Sequence, residues 1–345
     1  MVVHGVVLLS LSAWVMHGTA GDPPPTANVT GRLFDTTQQT QPTMPSSRWP
    51  TRSAMLRQPL ALFGVSAPLV PSSRRALDAI TDKAGRRPGL VQYFVNWDQD
   101  FRAETARRCL EQGAVPMVAW QPWAGRKKGT NQHNFRLARI SAGRHDAYIT
   151  RFATAVRDFE RPVVLRFAHE MNGTWFPWSE SRNGNTPGDY VRAWRHVHGI
   201  FTQVGASNVI WVWSPNIVRP VPDVALEPLY PGDRYVDWVG MVGYGNLREN
   251  TAGETFDRTI RHMRQFTDKR LLITETGARP GPQQAGWVRD LFRWVAGRRD
   301  IVGFIWFQYD NTKRTADWRF DVSPSTLTAF RDGLAGLSLA SPTQR

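Results

Sequence analysis

From about residue 60 onward the chain alternates between two kinds of segment. Short apolar runs rich in β-branched and aromatic residues give way to longer stretches in which apolar residues recur at helical spacing. Eight short runs stand out, at 61–66, 91–97, 115–120, 163–169, 208–214, 238–244, 271–275 and 301–307. Several are apolar almost throughout, as strands are when both faces of a parallel sheet are covered; a one-sided antiparallel sheet would alternate. Helix starts are predicted at Ser72, at Thr186-Pro187-Gly188-Asp189 and at Ser323-Pro324, and helix stops at Gly113 and Gly205, which follow apolar helical stretches at positions suited to a left-handed cap. Eight βα units in about 280 residues predict an α/β protein with a closed (β/α)8 barrel of the TIM type, one domain over 59–338. A doubly wound open sheet competes, but no glycine-rich dinucleotide turn follows the first strand.

In such a barrel the reactive groups project from the C-terminal ends of the strands. Polar and aromatic residues collect there: Asn96-Trp97, Trp120-Gln121, His169-Glu170, Trp213-Ser214-Pro215-Asn216, Tyr244-Gly245-Asn246, Glu275 and Trp306-Phe307-Gln308. These groups suit the gripping of a polyol, and Trp120, Trp213 and Asn216 enter as substrate-binding candidates on position alone. Glu170 and Glu275 each end an apolar strand, where an isolated carboxylate is costly unless paired or used. The fourth and seventh strands face each other across the mouth, so the two carboxyl groups can flank one bond, as retaining glycosidases require at about 5 to 5.5 Å. Arg166, four positions before Glu170, is expected by strand alternation to share its side, to reach under the site and to pair with Glu275, keeping that group ionised. Glu170, near that charge and among aromatics, would hold its proton to higher pH. A structural Arg-Glu ion pair in the barrel floor is the competing reading.

Composition narrows the function classes. With 41% hydrophobic and 21% charged residues the chain has material for a large core, and its 15 Trp suit sugar rings, whose C–H faces lie flat on indole. The net charge of +14 raises the question of nucleic acid. The basic residues are scattered, however, the longest run being Arg126-Lys127-Lys128, and no nucleic-acid partner is expected. Cys109 stands alone, so neither an intrachain disulfide nor a Cys/His zinc spacing can be assembled, and His196 and His198, two apart on a helix, point in different directions. No metal and no organic cofactor is expected; none of Lys83, Lys127, Lys128, Lys269 or Lys313 ends a strand, as a Schiff-base lysine would. An apolar run at 6–15 followed by Gly18-Thr19-Ala20 resembles a signal peptide, although its first residues lack Lys and Arg, so 1–20 is read as a leader and the chain as secreted. That run is too short to span a bilayer, no later segment has the length, and no stable membrane association is expected. Residues 21–58, with Pro23-Pro24-Pro25 and many Thr and Gln, read as a flexible linker, and 339–345 as a disordered tail. A monomer is expected.

The run Arg166-Phe167-Ala168-His169-Glu170-Met171-Asn172-Gly173-Thr174-Trp175-Phe176, followed by Trp178, resembles the acid/base signature of glycoside hydrolase family 26, whose members include β-mannanases. Ile273-Thr274-Glu275-Thr276-Gly277 is similar to that family's nucleophile strand. The resemblance extends over strands three to eight, and the His-Glu-Met-Asn-Gly string is its most specific part. It implies a retaining (β/α)8 hydrolase with Glu170 as acid/base on strand four and Glu275 as nucleophile on strand seven. Carried over residue by residue, His169 and Trp175 would line the sugar subsite beside the cleaved bond, Tyr244 would hydrogen-bond the nucleophile, and Trp306 would form the platform beneath the sugar. Tyr244 and Trp306 packing the barrel top is the alternative, and Asn172-Gly173 also reads as an ordinary turn. Phe307 stands where some mannan-degrading members carry a basic residue, and Pro177 interrupts the aromatic string. The implied reaction is endo-hydrolysis of β-1,4-mannan by double displacement. Mixed-linkage β-glucan, β-1,3-xylan and a catalytically inactive carbohydrate-binding barrel remain alternatives, with the loops at 121–139 and 246–254 governing endo against exo action.

Overall fold

Eight parallel strands close into a barrel in the order of the chain, each hydrogen-bonded to its sequence neighbours and the eighth to the first. The computed structural model describes residues 49–125, 129–219, 223–246, 251–313 and 315–340. The strands are β1 (Leu62–Ser66), β2 (Leu90–Asn96), β3 (Val115–Gln121), β4 (Val163–Phe167), β5 (Val209–Trp213), β6 (Trp238–Val242), β7 (Leu271–Thr276) and β8 (Ile301–Phe307). Around them lie α1 (Arg52–Arg57), α2 (Arg74–Ala84), α3 (Ala103–Glu111), α4 (Leu137–Ser141), α5 (Asp146–Phe159), α6 (Asp189–Val204), α7 (Ala252–Met263), α8 (Gln284–Ala296) and α9 (Pro324–Ala335). Each expected strand is present within two residues of its expected limits, and the (β/α)8 architecture is as the pattern predicts.

Local chemistry fixes the helix ends. Ser73 caps α2 by accepting from the Ala76 amide at 3.2 Å, and Ser323 caps α9 ahead of Pro324 in the same way. Thr251 and Glu254 form a reciprocal capping box on α7. Gly205, at φ +79°, ends α6 in the left-handed conformation that costs glycine least.

Two packed layers follow from strand alternation. Leu62, Leu90, Met117, Val164, Ile210, Trp238, Leu272 and Ile305 form an inner plug. The intervening positions, among them Phe63, Val91, Trp120, Phe167, Trp213 and Trp306, pack outward against the helices. The plug fills the lower barrel, so polar side chains gather at the other end, on the side of the strands' C-termini.

The boundaries differ from those expected. Within the segment read as linker up to residue 58, α1 folds under the barrel: Met55 is buried in the inner plug, and Arg52 donates to the Val209 carbonyl and the Asp237 carboxylate, both at 2.6 Å. One apolar side chain aimed inward was too little periodicity to reveal a helix of 6 residues. At the other end Ala340 donates to the Ala61 carbonyl at 2.8 Å, so the domain runs two residues into the expected tail. The expected leader, the rest of the linker, the Arg126-Lys127-Lys128 run, residues 247–250 of one long loop and residues 341–345 lie outside the described residues. No described helix is long and apolar enough to cross a membrane.

Candidate active site

Glu170 sits three residues past the end of β4, on a turn rather than on the strand itself. Ala168 and Glu170 have φ of +45° and +53°, a region that side chains other than glycine avoid, and such conformations persist where surrounding contacts enforce them. Here the Glu170 amide donates to the Ser214 carbonyl at 2.7 Å, and the Gly173 amide to the Glu170 carbonyl at 2.9 Å. Glu170 therefore reaches the barrel mouth through a strained turn, not through the alternation that would carry Arg166 and Glu170 along one face.

The Glu170 carboxyl is buried and has two donors, Trp175 Nε1 at 2.5 Å and Asn216 Nδ2 at 3.3 Å. Asn216 is held in turn by Asn172, whose side chain accepts from the Asn216 amide at 2.8 Å and donates to its carbonyl at 2.9 Å. Asn172, readable as a mere turn residue, thus ties the Glu170 loop to the end of β5. Burial pushes the Glu170 pKa up to about 7, helped by the charge of Glu275 and opposed by Arg166 and the Trp175 and Asn216 hydrogen bonds.

Glu275, on β7, forms a buried ion pair with Arg166. Its other oxygen accepts from the Tyr244 hydroxyl at 3.0 Å. Burial raises the Tyr244 pKa well above its ordinary value, and the nearby carboxylates add to this, so the hydroxyl remains a donor. Arg166, wholly buried, projects from β4 and also donates to Ser214 Oγ at 3.1 Å. The register between β7 and β8 shifts between Ile273 and Thr276, a local irregularity at the strand end that bears Glu275.

His169 is 1% exposed and is ringed by Phe94, Phe176 and Trp178 at centroid distances of 6.2, 5.0 and 5.7 Å. Burial, then the Arg166 charge, depresses its pKa well below the ordinary value, leaving a neutral imidazole beside Glu170. The Trp178 indole donates to the His169 carbonyl at 2.6 Å, which braces the same turn.

Three expected substrate contacts are not at the mouth. Trp306 is fully buried on the helix side of β8, 5.0 Å from Phe330, because Ile305 takes the inward position of that strand. Trp120 likewise faces outward, stacked 4.3 Å from Phe152 with its Nε1 donating to the Tyr148 hydroxyl at 3.1 Å. Trp213 is turned away in the same manner, donating to the Leu229 carbonyl. Trp120→Phe should therefore lower stability by about 1–3 kcal/mol in thermal unfolding and leave KM for substrate unchanged; a several-fold rise in KM would return Trp120 to the cleft.

In their place the mouth carries an aromatic cluster of which the strand ends disclosed only Tyr244 and Phe307. Phe307, Tyr309 and Trp318 pack with Phe94 and Tyr244, the Tyr244 and Trp318 rings lying 4.5 Å apart and Phe307 stacking on Tyr309 at 4.3 Å. Trp306 acts on this cluster from behind, its Nε1 donating to the Trp318 carbonyl at 2.9 Å. Phe307 was visible at the end of β8 without a mark of which side it faces, whereas Trp318 lies in the following loop and carries no periodic signal.

Among the described residues no three His, Cys, Asp or Glu side chains come together as a metal site. His196 instead meets Asp146 at 2.7 Å, and Cys109 is buried with its thiol pKa raised by burial.

Residues 142–279 match the family described as Glycosyl hydrolase family 26. Endoglucanase H of Acetivibrio thermocellus is 30% identical over 283 residues, which is 79% of this chain and 30% of that protein. Mannan endo-1,4-beta-mannosidase A and B of Caldalkalibacillus mannanilyticus is 38% identical over 87 residues, 24% of this chain and 16% of that protein. The chain thus spans under a third of either relative's length. The fold is similar to the catalytic domain of a Bacillus sp. JAMB-750 GH26 endo-beta-1,4-mannanase, with a TM-score of 0.64 at 18% identity, covering 86% of this chain and 93% of that one.

Proposed function

Because the chain belongs to glycosyl hydrolase family 26, we propose that it is a retaining endo-hydrolase of β-linked polysaccharide, with β-1,4-mannan as its substrate. The observation that carries this reading is the unequal environment of the two carboxyl groups. Glu170 is buried with its proton held to about pH 7, and Glu275 is paired with Arg166 and bonded by Tyr244. Double displacement needs that inequality, one group protonated for the leaving oxygen and one ionised for the anomeric carbon.

In the first step Glu170 protonates the glycosidic oxygen while Glu275 forms an ester to the sugar. In the second, Glu170 takes a proton from water as the water displaces Glu275. Trp175 and Asn216 aim the Glu170 carboxyl, Arg166 and Tyr244 orient Glu275, and the neutral His169 ring stands beside them. The aromatic cluster of Phe307, Tyr309 and Trp318 offers the sugar an apolar face. Export is supported by the apolar run at 6–15, and a monomeric state by the scarcity of large exposed apolar residues, Leu60 and Leu69 among those described.

A second polymer has a specific observation behind it. The endoglucanase matches 79% of this chain and the mannosidase 24%, which supports β-glucan. Product sizing after digestion of galactomannan, glucomannan and barley β-glucan separates the readings. Mid-chain cutting of both mannans with β-glucan untouched is expected; cutting of β-glucan alone would move the assignment, and no release from any of the three would favour a binding barrel without catalysis.

A further inference from the structure

Arg166 holds Glu275, but what holds Arg166 is a chain of hydroxyls buried beneath the site. Its Nε donates to Ser214 Oγ at 3.1 Å. Ser214 Oγ lies 2.6 Å from Thr274 Oγ1, and Thr274 Oγ1 donates to the Met241 carbonyl at 3.0 Å. A guanidinium can only donate and a carbonyl can only accept, so the single Thr274 proton goes to Met241, Ser214 is left to donate to Thr274, and the direction of the whole series is fixed from its two ends. Arg166 donates to Ser214, Ser214 to Thr274, and Thr274 to the backbone of β6. Arg166, Ser214, Thr274 and Met241 are all at 0% exposure, so no solvent competes for these bonds.

The fold makes room for this series at one place. A Cβ on Gly240 would stand 2.6 Å from Thr274 Cγ2 and 2.9 Å from Ser214 Cβ, closer than real contacts allow. The missing side chain on β6 lets residues from β5 and β7 meet inside the barrel. The Met241 carbonyl that ends the series lies where the pairing of β6 with β7 shifts register, between Met241 and Val242.

We propose that Ser214 and Thr274 are positioning residues for the hydrolysis, locking the rotamer of Arg166 and through it the angle at which Glu275 meets the anomeric carbon. The proposal rests on the reading of Glu275 as nucleophile. Neither hydroxyl touches substrate. With the Thr274 hydroxyl removed, Ser214 loses its acceptor and the orientation of its lone pair toward Arg166. The guanidinium is then still attracted to Glu275 but free to sample several geometries. Displacements of the order of 1 Å at a reacting group cost up to about 100-fold in rate.

The test compares native protein with Thr274→Val, which keeps the shape and deletes the hydroxyl, and Thr274→Ser, which keeps the hydroxyl. Ser214→Ala cuts the same series one link nearer and replaces Thr274→Val if that variant does not fold. One readout is the rate of covalent labelling by 2-deoxy-2-fluoro-β-glycosyl fluorides of mannose and glucose, with the labelled peptide mapped. The other, independent of activity, is hydrogen exchange at Arg166 Nε followed by 15N–1H NMR, the signal assigned by its loss in Arg166→Lys. Thr274→Val is expected to slow labelling about 10- to 100-fold and to speed Arg166 Nε exchange, with Thr274→Ser recovering both. Native exchange at Arg166 in Thr274→Val, or faster exchange with native labelling, overturns the proposal. Absence of label on Glu275 in the native protein would instead refute the nucleophile assignment, and the exchange rates would still decide whether the hydroxyls lock Arg166.

Discussion

Replacing Glu275 by glutamine is expected to abolish hydrolysis of the polymer, by on the order of 10⁴- to 10⁶-fold, the scale on which loss of a covalent nucleophile registers elsewhere. Glutamine keeps the shape of the side chain and an oxygen for the Tyr244 hydroxyl, now 3.0 Å away, but an amide does not attack an acetal carbon. Alanine should lose as much activity and more stability. Either variant leaves Arg166 buried without its counter-charge, a change that costs about 3–5 kcal/mol when one partner of a buried pair is removed, and alanine also gives up the oxygens that accept from Arg166 and Tyr244. Initial rates on polymer, together with thermal unfolding of both variants, separate the chemical from the structural loss. A glutamine variant within about tenfold of the native rate would remove Glu275 from the chemistry.

Glu170→Ala is expected to act selectively. Hydrolysis of unactivated polymer should fall about 10²- to 10⁴-fold, the usual contribution of a positioned acid. Activated aryl glycosides need no proton on the leaving group and should still form the intermediate, whose breakdown azide restores. The pH profile gives a second signature. Glu170 donates only when protonated, so the native rate should fall as pH rises through about 7, and in the variant this basic limb should disappear. The direction has an internal logic: burial raises the Glu170 pKa first and the Glu275 charge second, and esterification of Glu275 removes that charge. Glu170 then becomes more acidic when it must act as base. An alanine variant with native polymer hydrolysis and an unaltered basic limb would withdraw the assignment.

What the sequence disclosed and what it concealed divide along physical lines. The strands were legible because each is a nearly continuous apolar run punctuated by polar residues, and the same contrast exposed Glu170 and Glu275 at their ends. The pairing of Arg166 with Glu275 was legible from a buried charge that needed a partner. The facing of individual strand residues was not. When both sides of a strand are apolar, alternation leaves no mark of which side points inward, and Trp120, Trp213 and Trp306 were each taken for mouth residues while packing against helices. Glu170 reaches the site by two residues of positive φ, which no pattern of side-chain types announces. Trp318 belongs to a loop and meets Tyr244 only through the closure of the barrel. The hydroxyl series from Arg166 to Met241 joins strands β4 to β7, and its members look like ordinary strand Ser and Thr until Gly240 is seen to let them touch.

The central claim is that the two carboxyl groups act on one anomeric centre through a covalent intermediate. Following the first sugars released from a β-linked oligosaccharide by 1H NMR, before mutarotation blurs them, reads the stereochemistry directly. Products that appear as the β-anomer and only later equilibrate are the predicted result; initial release of the α-anomer would mean a single displacement by water and would contradict the account.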